Sequence, residues 1–484
     1  MRIVLAIVGS LLVVAMLAFA LVGRWSMTGR AARLARLGRL SARLSASWLG
    51  ASLRRLFAGK ARRARIDSKR RSADAARIAQ SMGQMKGALM KLGQMMSFVS
   101  DEVPAELRAA LATLQAEAPP MDFALIRDVA ERELGKPLER AFARFDEQPI
   151  AAASIGQVHR AQLPSGEEVA VKIQYPGGAA AMRSDLDNAD VLYRAFALFY
   201  PALDPRPVVA ELRARLGEEL DYRHEAENQQ RFVDLYDGHP FIRIPRVIAS
   251  HSTSQVLTSE FIEGRRFAEV VKSDDNAARA RWGEILYRFV FGGILRYHLF
   301  NGDPHPGNYL FDAEGRMVFL DFGCVKVFPE SVMRPWTEMV LAHLDGDAEG
   351  FRARLLKLGF LPEGSDVPAQ LLHDYFGYFY EAWRADRDFQ FTREYAGRSL
   401  RMVFSPEGKF AGITKRLNMP PDFVLVNRIQ WGVYSLLADL GANANWHRIH
   451  HELLDNTEPA TELGRIDHAW RAARKVKQDA DSNR

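Results

Sequence analysis

The chain has 484 residues, a formal net charge of +6 and a single cysteine, Cys324. One cysteine excludes an intramolecular disulfide and a zinc site built from cysteines. The positive charge is concentrated in residues 23–72, which contain fifteen Lys or Arg residues and one acidic residue, whereas the rest of the chain is net acidic. Binding of nucleic acid is therefore not predicted, because it would require a basic surface on the folded body.

An uncharged apolar run occupies residues 3–22 and is about as long as the ~20 residues that a helix needs to cross a bilayer. Three interpretations are open. A secretory signal peptide would have a shorter apolar core, and a mitochondrial transit peptide would be Arg-rich from its start. A membrane anchor explains both the length and the basic residues that follow, which the positive-inside rule keeps in the cytoplasm. We therefore predict a single N-terminal transmembrane helix over 1–22, with the main body on the cytoplasmic side of the inner membrane.

Residues 23–74 form a basic amphipathic segment next to this predicted anchor. Arginines at positions 33, 36, 39 and 43 run beside leucines at positions 34, 37, 40 and 44, so helical spacing gives a leucine stripe bordered by an arginine stripe. This pattern is typical of helices that lie at a membrane surface and bind anionic lipid headgroups. The alternative is a basic linker that only determines topology.

The remaining chain divides into a helical extension, a small β-rich lobe, a larger helical lobe and a polar, solvated tail. Their predicted boundaries are 75–134, 135–263, 264–455 and 456–484. Within them we predict a helix over 122–146 and a hairpin over 309–320 that turns at Asp312 to Gly315. A small β-rich lobe followed by a larger helical lobe is the order found in protein kinases. The predicted fold class is therefore α+β, a protein-kinase-like two-lobed fold with an N-terminal helical extension.

A lysine and a glutamate in the β-rich lobe are candidates for holding nucleotide phosphates. Lys172 lies on a predicted strand, from which a lysine reaches phosphate oxygens as a point charge. Kinases hold this lysine with a glutamate from a helix, and Glu225 occupies the helix that follows. The pairing is one of several that the sequence allows, because the same stretch carries four other carboxylates, at positions 218, 219, 221 and 227.

The helical lobe contains the strongest cluster, "GDPHPGNYLFDAEGRMVFLDFG". Asp303 and Asn308 have the spacing of the kinase catalytic loop, and the predicted hairpin brings Asp321 alongside them. One carboxylate, Asp303, can orient or deprotonate a nucleophile, while Asn308 and Asp321 can bind Mg²⁺ that is held on nucleotide phosphates.

Two further stretches complete the predicted nucleotide site. In "AAASIGQVH", alanines replace two of the three glycines that normally wrap the phosphates, which restricts the backbone and its approach to the nucleotide. The predicted contacts in this loop are Ala151, Ala153, Ser154, Gly156 and Val158. In "LTSEFIEG", the backbone from Glu260 to Ile262 is predicted to bind the adenine edge as an interlobe hinge.

Taken together, these motifs resemble those of the UbiB/AarF family of atypical kinase-like proteins, which is associated with ubiquinone biosynthesis. The resemblance covers roughly residues 85–325, and its motifs appear here, in order, as "MKLGQMMS", "AAASIGQVHRA", "VAVKIQYPG", "ELDYRHEAEN", "DPHPGN" and "LDFG". Two features depart from the family pattern. Gly302 stands where alanine is frequent, and the apolar segment is N-terminal, whereas many bacterial relatives carry C-terminal hydrophobic spans.

The resemblance implies a kinase-like fold that binds ATP and Mg²⁺, with an N-terminal extension laid across the active site. It also implies the Lys172–Glu225 pair and the roles of Asp303, Asn308 and Asp321 given above. The extension would close the pocket through a lysine that points towards an acidic pair. The residues of this gating motif are Lys91, Gly93, Gln94, Glu219 and Asp221.

Three functions are compatible with these features. The first is a membrane-anchored atypical kinase or ATPase that supports ubiquinone or related isoprenoid-lipid biosynthesis. Its partners would be ATP, anionic lipids, quinone or isoprenoid-lipid intermediates and biosynthetic enzymes. The second is a small-molecule phosphotransferase, because "GDPHPGN" also resembles the catalytic loop of aminoglycoside and choline kinases. The third is a nucleotide-binding scaffold without turnover, which the intact set of site residues disfavours.

Overall fold

The computed structural model describes residues 121–153, 155–177, 217–218, 220–404, 410, 412–418 and 420–482. The predicted membrane helix, the basic segment and most of the predicted helical extension therefore lie outside the described residues. Among the helices that the structure does describe, none is both long enough and apolar enough to span a bilayer.

Secondary structure is numbered here in chain order over the described residues. The strands are β1 (Arg144–Ala153), β2 (Gly156–Gln162), β3 (Glu168–Gln174), β4 (Ile242–Arg243), β5 (Val256–Glu260), β6 (Arg265–Arg266), β7 (Leu299–Asn301), β8 (Tyr309–Phe311), β9 (Met317–Phe319), β10 (Val325–Val327), β11 (Phe389–Gln390) and β12 (Asn443–Ala444). The helices are α1 (Phe123–Leu134), α2 (Leu138–Ala141), α3 (Tyr222–Leu235), α4 (Phe267–Val271), α5 (Asn276–Tyr297), α6 (Glu330–Leu344), α7 (Ala348–Lys357), α8 (Ala369–Phe376), α9 (Glu381–Arg384), α10 (Arg393–Phe404), α11 (Val424–Asp439), α12 (Trp446–Asp455) and α13 (Glu462–Ser482).

A four-stranded antiparallel sheet, in the order β1-β2-β3-β5, forms the smaller lobe. Along β3 the side chains of Val169, Val171 and Ile173 are fully buried, as the two-residue period of a strand requires. They belong to one apolar cluster with Ile126 and Val129 of α1, so the helix covers one face of the sheet. Lys172 lies between two of these buried positions and therefore projects from the opposite face.

The helix predicted over 122–146 is shorter than expected. Helix α1 ends at Leu134, because Gly135 adopts a left-handed conformation with φ of 67° and Pro137 follows two residues later. Only the four-residue helix α2 continues before β1 begins at Arg144. Gly135 and Pro137 are local signals for a helix end, although the apolar pattern continues beyond them.

Helix α3 follows the small sheet and begins at Tyr222, where the side chain of Asp221 accepts a hydrogen bond from the backbone N–H of Arg223. The buried residues of the helix recur at helical spacing and form one face. These residues are Tyr222, Glu225, Gln229 and Phe232. A glutamate on this otherwise core-facing stripe needs a positively charged partner, since an unpaired buried charge is costly.

The larger lobe is built around α5, most of whose central residues are buried. The small sheet β4-β9-β8-β6 lies in the same lobe, and its β8–β9 pair is the predicted hairpin. The turn runs over Asp312 to Gly315 as expected, because the N–H of Asp312 binds the carbonyl of Arg316 and Gly315 has φ of 79°. A second pair, β7 with β10, flanks the segment that carries Asp303.

The predicted polar tail differs from expectation, because it contains the 21-residue helix α13. Leu463 and Asp467 of this helix are buried, and Ile466 and Trp470 lie against the core. These positions recur every three or four residues, so one face of α13 is covered by the protein. The charged residues that suggested a solvated end lie partly on this covered face.

Candidate functional site

The centre of the candidate site is an ion pair between β3 and α3. The Lys172 Nζ lies 2.6 Å from Oε1 and 2.8 Å from Oε2 of Glu225. The same nitrogen lies 3.8 Å from Oδ2 of Asp321, so the lysine contacts carboxylates from both lobes. Among the carboxylates near the start of α3, the structure therefore places Glu225 beside Lys172.

The electrostatics of this site keep the lysine charged. Burial opposes the positive charge, but the carboxylates of Glu225 and Asp321 outweigh burial and hold the pKa of Lys172 well above its usual value. The ring of Tyr222 lies 5.0 Å from Nζ and adds a cation–π contact. Lys172 is thus a fixed cation within reach of an anionic ligand, and its side chain remains 18% exposed.

The loop that carries Asp303 is held in place by hydrogen bonds to its backbone groups. The side-chain N–H of Asn308 donates to the carbonyl of Asp303 at 3.1 Å, and the N–H of His305 donates to the same carbonyl at 2.8 Å. Asn301 joins this loop to the next one, since its amide donates to the carbonyl of Asp321 at 2.7 Å and accepts from the N–H of Asp303 at 3.3 Å. The loop geometry is therefore fixed by side-chain bonds to backbone groups.

The segment Asp321–Gly323 is also anchored from two sides. Oδ1 of Asp321 accepts the N–H of Gly323 at 2.9 Å, and the amide of Asn228 on α3 donates to the carbonyl of Phe322 at 3.3 Å. The ring of Phe322 is fully buried and lies 4.8 Å from the ring of Phe232, also on α3. Helix α3 thus contacts Asp321's segment at the same time as it supplies Glu225.

The loops that carry Asp303 and Asp321 meet at the β8–β9 hairpin, where the N–H of Leu320 donates to the carbonyl of Asn308 at 3.1 Å. Burial raises the pKa of the Tyr309 hydroxyl, and the charges of these two aspartates raise it further. Both carboxylates therefore act on one phenol at the start of the β8–β9 hairpin. The structure places Lys172 in contact with Glu225 and Asp321, and hydrogen bonds of Asn301 and Asn308 join the loop of Asp303 to the segment of Asp321.

The alanine stretch forms the end of the β1–β2 hairpin. Ala151 pairs with Val158, and Ala153 pairs with Gly156, so the alanines are strand residues and not part of an open loop. A Cβ at Gly156 would lie 2.1 Å from the carbonyl oxygen of Ile173, which explains why this glycine is retained. Ser154 lies outside the described residues.

Hydrogen bonds within the fold already occupy some of the polar groups of the predicted hinge. The N–H of Glu260 donates to the carbonyl of Arg246, and the N–H of Phe261 donates to the carbonyl of Glu168. The side chain of Glu260 binds Arg243 at 2.6 Å. The N–H groups of Glu260 and Phe261 are therefore bonded within the fold, and adenine binding by the backbone from Glu260 to Ile262 stays a prediction.

The predicted gating motif is only partly within the described residues. Asp221 caps α3 and binds the guanidinium of Arg223, with a shortest distance of 2.6 Å. The side-chain hydrogen bond from Arg223 and the backbone N–H bond lower the pKa of Asp221, so it stays ionised. The other members of the motif, Lys91, Gly93, Gln94 and Glu219, lie outside the described residues.

Two glycines beside the catalytic loop are favoured by close contacts that the motifs did not reveal. A Cβ on Gly302 would lie 3.0 Å from the sulfur of Cys324, which accounts for glycine at this departure from the family pattern. A Cβ on Gly432 of α11 would lie 2.5 Å from Cγ of Pro304. A lone glycine within a helical pattern was the available signal for Gly432.

The donor atoms fit a nucleotide-bound Mg²⁺. A carboxylate from Asp321 and an amide oxygen from Asn308 are hard oxygen ligands, which Mg²⁺ prefers. Within the described residues no group of three or more His, Cys, Asp or Glu side chains could hold a metal ion. Magnesium in phosphoryl-transfer sites needs only one or two protein ligands, since phosphates and water supply the rest.

Comparison with known proteins agrees with this geometry. Residues 113–355 match the ABC1 atypical kinase-like domain. The Saccharomyces cerevisiae protein named atypical kinase COQ8, mitochondrial, is 29% identical over 383 residues, which cover 78% of this chain and 75% of the relative. The Danio rerio protein named atypical kinase COQ8B, mitochondrial, is 31% identical and covers 68% of this chain, but this chain spans only 53% of it.

A solved structure is also similar. It is that of a Mycobacterium tuberculosis protein in complex with erythromycin, and it is 31% identical, with a TM-score of 0.56. The similarity covers 77% of this chain and 93% of that protein. The fold is therefore kinase-like, as the order of the two lobes predicted. The chain belongs to the ABC1 atypical kinase-like family, with relatives named COQ8-type atypical kinases, and is an ATP-dependent kinase-like enzyme.

Proposed function

We propose that this protein binds Mg-ATP and acts as an atypical kinase or ATPase that supports ubiquinone or related isoprenoid-lipid biosynthesis at a membrane. The observation that carries the proposal is the bidentate contact of Lys172 with Glu225, with Asp321 3.8 Å from the same nitrogen. Kinases need both the lysine–glutamate pair and this aspartate in place for phosphoryl transfer. The proposed roles are phosphate binding by Lys172, Mg²⁺ binding by Asn308 and Asp321, and orientation of the attacking group by Asp303.

The hairpin over the proposed nucleotide site supports a restrained form of this chemistry. Ala151 and Ala153 place methyl groups where flexible phosphate loops carry glycine, and both are paired with β2. The hairpin is therefore less able to fold down over the phosphates. This favours slow or conditional ATP turnover over rapid phosphorylation of many acceptors.

The segment after Gly323 supports an acceptor other than an extended peptide. Strand β10 pairs with β7, and helix α6 begins at Glu330. Lys326 lies 3.2 Å from a carboxylate oxygen of Asp422, which ties the segment to the helical lobe. Little chain remains there to form a peptide-docking surface. A small molecule or water therefore fits the site better as acceptor.

The membrane role rests on residues 1–74, which lie outside the described residues. Their apolar run and arginine stripe support an anchor followed by a helix that binds anionic lipids. A chain without residues 1–72 should remain soluble after cell breakage. Continued sedimentation of this truncated chain with membranes would show that the attachment lies elsewhere.

Nucleotide binding is tested by thermal-shift titration of the full chain with Mg-ATP. Asp321→Asn should abolish the Mg²⁺-dependent part of the stabilisation, because it removes a charged metal ligand. Glu314→Gln is the matched control, since Glu314 is an exposed carboxylate in the turn of the adjacent hairpin. Equal Mg-ATP affinity of wild type and Asp321→Asn would contradict the proposed metal site.

The pathway and the need for catalysis are tested together by quinone profiling in a strain that lacks the gene. Wild type should restore the quinone content, whereas Asp303→Asn at equal abundance should not. Restoration by Asp303→Asn would instead favour a nucleotide-binding scaffold. Normal quinones in the deletion strain would remove ubiquinone biosynthesis from the proposal. Phosphate release without any acceptor would identify an ATPase, and a labelled lipid or quinone intermediate would identify a small-molecule phosphotransferase.

A further inference from the structure

Helix α3 carries the glutamate of the central ion pair, but its other end carries no basic residue. The final carbonyls of a helix have no partner within the helix, and the helix dipole places partial negative charge there. A cation from another element would therefore stabilise the C-terminal end of α3.

Helix α13 supplies this cation. The guanidinium of Arg474 donates to the carbonyl of Leu235 at 2.7 Å and to the carbonyl of Asp234. The indole N–H of Trp470 donates to the carbonyl of Asp237 at 3.3 Å, and the guanidinium of Arg474 lies 5.4 Å from the centre of the indole ring. Two adjacent turns of α13 thus bind three backbone carbonyls within about one turn of chain, at the end of α3 and just beyond it.

The same helix is fixed firmly to the larger lobe. Asp467 accepts a hydrogen bond from Arg296 of α5 at 2.7 Å and lies 3.3 Å from Nε2 of the buried His239. At Gly464 the helix passes so close to a buried ion pair that a Cβ would lie 2.6 Å from Glu452 and 2.7 Å from Arg288. Because α13 cannot shift easily, it is a rigid support for the end of α3.

We propose that α13 is a positioning element for the nucleotide site, and that Arg474 and Trp470 hold α3 in the orientation that joins Glu225 to Lys172. Leu235 is ten residues after Glu225, which is about 15 Å along a helix. One end of α3 is therefore fixed by Lys172 and the other by α13. The expected effect of α13 on activity rests on the proposed nucleotide site. The expected effect on the exposure of Lys172 does not depend on that proposal.

The test is a measurement of the exposure of Lys172 in the full chain without nucleotide. An amine-acylating reagent modifies lysines, and mass spectrometry of peptides gives the rate at each one. Arg474→Gln should raise the acylation rate of Lys172 about five- to thirtyfold, because the end of α3 loses its cation. Arg474→Lys should restore most of the protection, since it keeps the charge.

Two controls separate positioning from general destabilisation. Lys475→Gln removes one positive charge from the adjacent, exposed position of α13 and should leave the rate at Lys172 unchanged. Lys326, buried in the larger lobe, reports global opening within the same sample. Faster acylation of Lys172 alone supports the proposal. An unchanged rate at Lys172, or an equal rise at Lys326, overturns it.

The consequence for activity is measured separately. Arg474→Gln should lower kcat/KM for ATP, and Arg474→Lys should restore most of it. If the wild-type chain neither binds nor hydrolyses Mg-ATP, the proposed function fails, and the acylation result still decides the role of α13. If ATP turnover is present and unaffected while Lys172 becomes exposed, the claim that α13 positions the nucleotide site is refuted.

Discussion

Gly432→Ala should impair turnover without unfolding the protein. Gly432 lies within α11, and a Cβ there would stand 2.5 Å from Cγ and 3.3 Å from Cβ of Pro304, the residue after Asp303. Carbon atoms prefer separations of about 3.5–4.0 Å, so helix and loop must move apart by roughly 1 Å. Helix α11 is fixed by fully buried residues, including Val433 and Leu437, and the loop is therefore expected to move.

Two opposing effects determine the stability of Gly432→Ala, and displacement of the loop determines its turnover rate. Overpacking costs ~1–3 kcal/mol, while replacing a helical glycine by alanine contributes ~1 kcal/mol in favour of folding. The net loss in unfolding free energy should therefore not exceed about 2 kcal/mol. A displacement of ~1 Å at a reacting group can lower the rate about 100-fold. The expected result is a large fall in kcat with a folded protein.

The assay is steady-state ATP hydrolysis together with nucleotide affinity and melting temperature. Affinity for Mg-ATP should fall less than kcat, because Lys172 and Asp321 lie outside the displaced loop and Asn308 is the one proposed ligand within it. Gly292→Ala is the matched control, since Gly292 also lies within a helix but its Cβ would meet only Leu453, at an ordinary 3.6 Å. Wild-type kcat in Gly432→Ala would refute the reasoning. Adding Pro304→Ala, which removes the clashing Cγ, should recover part of the lost activity.

Three further changes test other parts of the structure. Burial, followed by the charges of nearby groups, lowers the pKa of His343 from 6.5 to about 3, so the folded state loses stability as pH falls below about 6.5. Between pH 7.5 and 5.5, urea unfolding should show the wild type losing about 1.4 kcal/mol more than His343→Phe; parallel pH profiles would exclude a neutral buried histidine. Ala153→Gly should loosen the hairpin and alter the ratio of ATP to ADP affinity, or permit autophosphorylation. An unchanged ratio without new phosphorylation would contradict the proposal that the alanines restrain the hairpin. Arg288→Met should cost ~3–5 kcal/mol, because the buried carboxylates of Glu284 and Glu452 lose their closest cation, although Arg296 still lies 3.6 Å from Glu452. Adding Glu452→Gln should recover part of this loss in the same unfolding assay.

The residues of the candidate site could be predicted because local sequence determines their spacing. Asp303 and Asn308 belong to one short loop, and the hairpin with its turn at Asp312 to Gly315 carries Asp321 back beside them. The assignment of Glu225 as the partner of Lys172 required the structure, since several carboxylates share its stretch of sequence. It is distinguished by lying on the buried face of α3, at helical spacing from Tyr222 and Phe232.

The errors arose where distant partners decide the outcome. The charged residues after position 455 suggested solvent exposure, but Asp467 is buried because Arg296 and His239 meet it from far along the chain. Such pairing cannot be read from local composition. The shortened helix α1 is a different error, because Gly135 and Pro137 were local signals that the apolar pattern outweighed.

The short segment between Gly323 and α6 also limits how the protein can be controlled. Many kinases are switched on when a hydroxyl in the corresponding segment is phosphorylated and captured by an arginine. Residues 324–330 read "CVKVFPE" and contain no serine, threonine or tyrosine. Their backbone is already paired with β7 through β10. A signalling input of that kind has no acceptor here, so regulation would have to reach the site through other surfaces, such as α3 and the helix that supports it.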